Sequence, residues 1–269
     1  MEIGANTRSV ITGAGSGFGR ALALELARRG GKLVLSDINL PAAEETAQLA
    51  KGAAEVVAFK CDVTKLAQVE ALAKKAGGVF DLVVNNAGVS SGGLIGELSM
   101  EDWRFTLEVD LMGVIHGCHV FTPVLRAQKH GHFLNVASAA GLACLPKMAA
   151  YNVAKAGVIA LSDTLYGELT GTGVGVTVLC PTFFKTQIAS SGHFTDEATR
   201  KMAEGMVNKG KTAEAVVHSA IHAVQRNHRY CLPMADARWM WRLQRLLPGI
   251  VSSVAGRLMS REHLLTMIQ

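Results

Sequence analysis

Short runs that are apolar at nearly every position alternate along this chain with longer stretches whose apolar residues recur every three to four positions. The runs are Arg8–Thr12, Lys32–Ser36, Glu55–Lys60, Asp81–Val84, His132–Val136, Gly175–Leu179 and Tyr230–Leu232. The helical periodicity falls near Gly19–Arg29, Pro41–Lys51, Lys65–Ala76, Met100–Lys129, Tyr151–Thr170 and Thr212–Arg226. Strands without polar alternation are buried on both faces, as in a parallel sheet covered by helices on each side. A β-α repeat of this length predicts an open, doubly wound α/β sheet of about seven strands. No linker or composition break precedes Arg226. The expectation is therefore one domain over 1–235, with a C-terminal helical extension over 236–269 packed on it. In such sheets ligands bind beyond the carboxyl ends of the strands, so the turns that follow each strand carry the search for chemistry.

Composition narrows the class. Of 269 residues, 49 % are hydrophobic and 18 % charged, enough for a sizeable core and too few charges for a disordered chain. No apolar run approaches the ~18 residues of a membrane span, and the N-terminus MEIGANTRS has no signal pattern. A soluble, cytoplasmic protein is expected. Five scattered cysteines (Cys61, Cys118, Cys144, Cys180, Cys231) form no CxxC pair, which predicts free thiols rather than a disulfide framework or zinc site. The net charge of +5 belongs to the tail: from Arg226 onward stand seven arginines, no lysine and two acids. The remainder is balanced, so nucleic acid is not expected as a partner.

Thr12–Gly19 reads TGAGSGFG, directly between the first strand and the first helix. Glycines there permit a sharp turn and a close approach of backbone N–H groups to a phosphate, which the helix N-terminus also favours. The spacing is T-G-x-x-x-G-x-G, on Thr12, Gly13, Gly17 and Gly19, not the commoner G-x-G-x-x-G. The second strand ends at Asp37, about 20 residues on, where a carboxylate can accept from both ribose hydroxyls of an adenosine and would repel a 2′-phosphate. No Lys or Arg stands at 16 or 38, and Arg20, at the helix start, is expected to face solvent. NAD is thus favoured over NADP. Asp62 and the Val63 N–H, after the third strand, are placed to bracket an adenine edge. Asn85-Asn86-Ala87-Gly88 lets the chain pass close to a ribose, and Pro181-Thr182, with Thr186, follows the sixth strand.

Ser138 lies just past the fifth strand, and thirteen residues later Tyr151 and Lys155 fall one helical turn apart on one face. A free tyrosine titrates near ~10. A neighbouring ammonium and a cationic nicotinamide favour phenolate and lower that value. Tyr151 could then exchange a proton with an alcohol or carbonyl while Ser138 holds the same oxygen.

With these motifs in this order the chain resembles the short-chain dehydrogenase/reductase family from about residue 8 to 232. The resemblance implies a Rossmann-like fold, hydride transfer with NAD, and a homodimer or homotetramer built on the two long central helices. It implies Ser138, Tyr151 and Lys155 as catalytic residues. The implied cofactor set is Gly13, Ser16, Gly17, Phe18, Gly19, Asp37, Ile38, Asp62, Val63, Asn86, Ala87, Gly88, Tyr151, Lys155, Pro181, Thr182 and Thr186; no metal is implied. The family usually has Asn in the helix before the serine strand, where this chain has Asp110. The main-chain carbonyl at 110 could still hold a water beside the lysine. A carboxylate there would stabilise the lysine charge and raise the tyrosine pKa, so Asp110 joins the catalytic set and an alkaline optimum is expected. Pro181-Thr182 stands where Pro-Gly is common.

The substrate loop is expected over 182–211, carrying Phe183, Phe184, Ile188, Phe194, Met202 and Met206, with Leu94, Leu142, Leu145 and Met148 nearby. No cation is evident to fix a carboxylate or phosphate. The substrate expectation is an apolar secondary alcohol or ketone, aliphatic, long-chain or sterol-like, weighed against simple packing of the loop. In the tail, Arg238, Arg242 and Arg245 share one helical face and Trp239, Leu243, Leu246 and Leu247 another. Packing of that apolar face over the active-site mouth or a sister subunit is favoured over contact with an anionic membrane surface. His218 and His222 are read as an exposed helix face, His116 and His119 as packing residues. The competing classes are a 3-oxoacyl carrier-protein reductase, which Asp37 argues against, and a non-catalytic NAD-binding sensor, which the intact Ser-Tyr-Lys set argues against.

Overall fold

The computed structural model describes residues 1–189 and 192–247, together with 249, 253, 254 and 256. Most of the 248–269 part of the expected extension therefore lies outside the described residues. From β1 (Arg8–Thr12) the chain turns through its glycines into α1 (Gly17–Arg28). It continues through β2 (Lys32–Asp37), α2 (Leu40–Leu49), β3 (Glu55–Lys60), α3 (Leu66–Lys75) and β4 (Leu82–Asn85). The two-residue strand β5 (Ser91–Gly92) precedes α4 (Met100–Leu107), which widens into one π turn, Glu108–Met112, before α5 (Gly113–Gln128). Next come β6 (Gly131–Val136), the single turn α6 (Ala140–Ala143), the long α7 (Ala149–Leu169) and β7 (Val174–Leu179). The last elements are β8 (His193–Phe194), α8 (Glu197–Lys209), α9 (Ala213–Gln225), β9 (Tyr230–Cys231) and α10 (Ala235–Leu246).

Seven strands pair in parallel in the order β3-β2-β1-β4-β6-β7-β9. Val10 lies opposite Val34 on one side and Val83 on the other. The chain builds outward from β1 to β3, then returns to the far side of β1 with β4. The crevice at that reversal opens between the turns after β1 and β4, the expected ligand position in such a sheet. This is the doubly wound, Rossmann-like architecture expected from the sequence. Two cores flank the sheet. One holds Leu22, Leu26, Leu33, Leu35, Val217, Ile221 and Val224. The other holds Val10, Leu72, Phe121, Phe133, Val158 and Leu169, with Phe80 and Phe121 edge to face at 5.0 Å.

Two stretches differ from expectation. The 100–129 helix is not one continuous α-helix, because the π turn interrupts it at Asp110. The 182–211 segment is not an open loop. His193–Phe194 pairs with β5 in a second, two-stranded sheet, and α8 starts at an Asp196 cap that accepts from the Thr199 N–H (2.7 Å) and hydroxyl (2.8 Å).

One buried titratable group lies away from the ligand end. His132 donates from Nε2 to the Thr177 hydroxyl (2.8 Å), which itself donates to the His228 carbonyl. Burial first, and the N-terminal ammonium second, push His132 down to about 3. The folded chain keeps the ring neutral while the unfolded chain takes up a proton below about 6.5. Stability from this site is therefore complete above ~6.5 and is lost as pH falls towards 3, at about 1.4 kcal/mol per pH unit. His132→Gln is expected to flatten the fall in urea midpoint between pH 6.5 and 4.5; parallel slopes for the two proteins would refute this.

Candidate active site

The turn after β1 is held open by its neighbours rather than by glycine alone. The Thr12 hydroxyl accepts from the N–H groups of Asn86 (3.0 Å) and Ala87 (3.2 Å), while the Asn86 amide donates to the carbonyls of Thr12 and Gly13. Gly13 has φ +64°, and a Cβ there would lie 2.7 Å from the Ala87 backbone. The turns on the two sides of the switch point thus touch, which explains why bulk is excluded from both. Gly19 serves the same packing: a side chain on it would strike the Gly13 carbonyl and Asn86. Ser16 precedes α1 but places no side-chain cap on it, which leaves its first-turn N–H groups for an anion or water. Gly17, at φ +52°, would carry a Cβ 2.7 Å from the Thr186 hydroxyl, so Thr186 closes the crevice from the opposite side. Phe18 is buried beneath the turn, edge to face with Phe184 at 6.5 Å.

Between the glycine turn, the end of β2 and the 185–187 segment lies a cleft of about 730 Å³, lined by Gly15, Ser16, Gly17, Asp37, Asn39, Lys185 and Thr186 among others. Asp37 accepts from the N–H groups of Gly15 and Asn39, both at 2.9 Å. Its carboxylate is thereby oriented at the rim of the cleft. Ile38, beside it, is 62 % exposed and free to cover a flat ring. Asp62 folds back on its own turn, taking the Thr64 N–H (3.0 Å) and hydroxyl (2.8 Å). Val63 is buried, and its carbonyl meets the His116 ring nitrogen at 2.8 Å. Arg20 does not face solvent as expected. It bonds the Gly15 carbonyl (2.6 Å), the Thr46 hydroxyl (3.0 Å) and Glu45 (2.6 Å), so the cleft draws it across α2. The glycine cradle, the uncapped helix start and the rim carboxylate fit an adenine dinucleotide.

The second half of the site sits at the ends of β6 and β7. Ser138 accepts from the Ala140 N–H (3.1 Å), donates to the Pro181 carbonyl (3.5 Å) and lies close enough to the Tyr151 phenol to favour its ionised form. The Lys155 ammonium lies 5.5 Å from the Tyr151 ring centroid and donates to the Val136 carbonyl (3.3 Å). It is 3.4 Å from Asp110, and both side chains are buried, at 3 % and 0 % exposure. The other Asp110 oxygen accepts from the Val89 N–H at 2.7 Å. Asp110 therefore acts on the lysine through its carboxylate, as the sequence suggests. The π turn sets it between the β4 turn and α7, a placement for which such widened turns are often used.

The electrostatics follow from burial. Burial opposes the Lys155 charge, but Asp110 and Tyr151 outweigh it and hold the ammonium above its ordinary value. Burial pushes Asp110 up, against Lys155 and the Val89 N–H. For Tyr151 burial is the largest influence and raises it. Lys155 pulls it down, Asp110 pushes it up, Ser138 lowers it, and the phenol ends above ~10. Lys155 lowers the phenol and Asp110 raises it, both as expected, but, the charge of a cationic nicotinamide aside, desolvation and Asp110 together exceed the ammonium.

Several supporting residues escape a motif search. Asn85 and Asn135, opposite each other on β4 and β6, bond at 2.8 Å, and Asn135 donates to the Ser162 hydroxyl at 3.0 Å. Two asparagines inside apolar strands were the available signal. Gly141 has no room for a Cβ, which would lie 2.5 Å from the Lys155 backbone, so α6 can hold Ser138 against α7. Gly88 likewise leaves space for Asp110 and Lys155. Of the substrate-loop residues, Phe184 packs into the core and Phe194 lies against Gly92. Phe183, Met202, Met206 and Leu94 remain exposed. Thr182 donates to Asp236 at 3.3 Å. His218 and His222 stand exposed on α9.

Residues 8–196 match the short chain dehydrogenase family. The chain is 34 % identical over 264 residues to a probable oxidoreductase, EphD, of Mycobacterium tuberculosis; the match covers 91 % of this chain but only 44 % of that longer protein. It is 35 % identical over 185 residues to mouse epidermal retinol dehydrogenase 2, covering 66 % of this chain and 60 % of the relative. Among solved structures it resembles a short-chain dehydrogenase/reductase from Burkholderia phymatum in complex with NAD, at 36 % identity and TM-score 0.86, over 94 % of this chain and 97 % of that one. The sheet order, the shared sequence and the shared backbone agree: this chain belongs to the short-chain dehydrogenase/reductase family of oxidoreductases.

Proposed function

We propose that the protein transfers hydride between NAD(H) and a secondary alcohol or ketone with an apolar body. The observation that carries the reading is the meeting of Ser138, Tyr151 and Lys155 past the carboxyl end of β6, the same end of the parallel sheet as the glycine turn after β1. When bound, the nicotinamide supplies the hydride acceptor or donor. Gly13 to Gly19 would hold the diphosphate, Asp37 the adenosine ribose, and Thr186 with Pro181 and Thr182 the far end. Ser138 orients the substrate oxygen by a hydrogen bond. Tyr151 gives that oxygen a proton in reduction, or takes it in oxidation. Lys155 stabilises the phenolate that results, and Asp110 keeps Lys155 charged. The exposed Phe183, Met202, Met206 and Leu94 favour an apolar substrate, in keeping with the mouse relative, whose name places it on retinol. A panel of aliphatic, cyclic and polyol alcohols, read by NADH formation, tests this. Faster turnover of small polyols than of aliphatic secondary alcohols would reject the apolar substrate.

The cofactor preference has its own test. Asp37 sets a negative charge where a 2′-phosphate would lie, and like charges brought together there cost affinity. Asp37→Ala is expected to raise kcat/KM for NADP relative to NAD by at least about tenfold. An unchanged ratio would mean that Arg20 or another group sets the preference.

A further inference from the structure

The helix α10 rests on the body through Ala237, which is buried, Met240, which packs on the first core, and Trp241, whose ring lies 5.4 Å from Tyr230. That face contains none of the apolar stripe expected to pack. Trp239 is 69 % exposed, Leu243 46 %, Leu246 78 % and Leu247 46 %. Beside the stripe stand the exposed Arg238, Arg242 and Arg245. The Arg242 guanidinium sits 5.8 Å over the Trp239 ring and that of Arg245 4.8 Å over Trp241. A single exposed leucine is ordinary, but a tryptophan and three leucines contiguous with three guanidinium groups mark an interaction surface. No helix among the described residues is long and apolar enough to cross a membrane, so the stripe would lie on a surface rather than span one.

We propose that α10 docks the protein on an anionic phospholipid surface. Charge selects this occupant. The whole net charge of +5 falls at and after Arg226 in the sequence. The only acid of α10, Asp236, is engaged by the Ala237 N–H (2.8 Å) and the Thr182 hydroxyl. A second copy applied about a two-fold axis would set arginine against arginine with no acid of the helix between them. Lipid phosphates would meet Arg242 and Arg245 first, with Arg238, whose guanidinium donates to the Leu232 carbonyl (2.9 Å), at the edge, while Trp239, Leu243 and Leu246 enter the acyl boundary. The Thr182 bond also ties this helix to the start of the substrate segment.

The test is co-sedimentation of the full chain with vesicles of phosphatidylglycerol and phosphatidylcholine, against phosphatidylcholine alone. The expected result is binding to the anionic vesicles only, a blue shift of tryptophan emission, and weakening as salt rises. Arg242→Gln and Arg245→Gln are expected to weaken binding about fivefold each, and Trp239→Ala with Leu246→Ser to abolish it. Thermal melts report whether the variants fold, and the two charge variants leave the apolar stripe untouched. No binding by the unmodified protein, equal binding to neutral vesicles, or full retention by all variants would overturn the proposal. So would a concentration-dependent dimer that Trp239→Ala dissolves, without vesicle binding. NADH affinity, measured on the same samples, is expected to be equal throughout; the docking reading stands or falls apart from the proposed reaction.

Discussion

Tyr151→Phe is expected to lower kcat about 10²–10⁴-fold, the usual contribution of a placed acid or base, while NADH binds as before. The substitution removes one oxygen and leaves the ring in its packing between Ser138 and Lys155. A loss confined to kcat means that the hydroxyl acts on the reacting oxygen, since a binding contact would move KM instead. Stopped-flow single turnovers with a good secondary alcohol, alongside a fluorescence titration with NADH, separate the two. Turnover within a few-fold of the unmodified enzyme would remove Tyr151 from the chemistry and with it the proposed mechanism.

Asp110 should show the next largest effect, in two different ways according to what replaces it. Asp110→Ala removes the counter-charge of a buried ammonium and the acceptor of the Val89 N–H together. Breaking one side of a buried ion pair costs about 3–5 kcal/mol, read as a fall in urea midpoint. Asp110→Asn keeps an acceptor for Val89 and removes only the charge. Asp110 raises the Tyr151 pKa, so its neutral replacement should shift the alkaline-rising limb of alcohol oxidation to lower pH. The limb rises with pH because the phenolate is the proton acceptor. Lys155 is held above its ordinary value in part by Asp110, so the stability it contributes is present below about 10.5 and is lost as pH rises through the folded value. In Asp110→Asn the folded value falls, so that contribution should be smaller and its loss complete at lower pH. Superimposable pH–rate profiles for the two proteins would show that the carboxylate does not reach the phenol electrostatically.

Much of the fold was legible because its signals are local. All-apolar runs define the strands of a doubly covered parallel sheet, and every expected strand and helix is present with ends displaced by no more than two residues, save that the π turn divides the 100–129 helix. The segments that escaped notice have weaker periodicity or depend on distant partners. β5 and β8 are two residues each and exist only because they pair. The start of α8 carried a cap signal in Asp196 and Thr199, but its apolar residues were read as a substrate wall. The amphipathic pattern of α10 was visible as well. Which of its faces meets the body was not, because that depends on the fit of Ala237, Met240 and Trp241 against elements distant in sequence.

The same division runs through the site. By itself, the sequence determined which chemical groups are present and in what order: the glycine turn, Asp37, Ser138, Tyr151 and Lys155, each at the end of a recognisable element. Tertiary structure alone decided what those groups do to one another. The Asp110 carboxylate faces Lys155 because a π turn and Gly88 bring them together, and Arg20 crosses to α2 instead of entering water. Tyr151 ends with a raised pKa because burial is a property of everything packed around it. Spacing along a helix reveals a neighbour one turn away; desolvation and charge coupling depend on distances through space, which the chain acquires only when its strands have found their order.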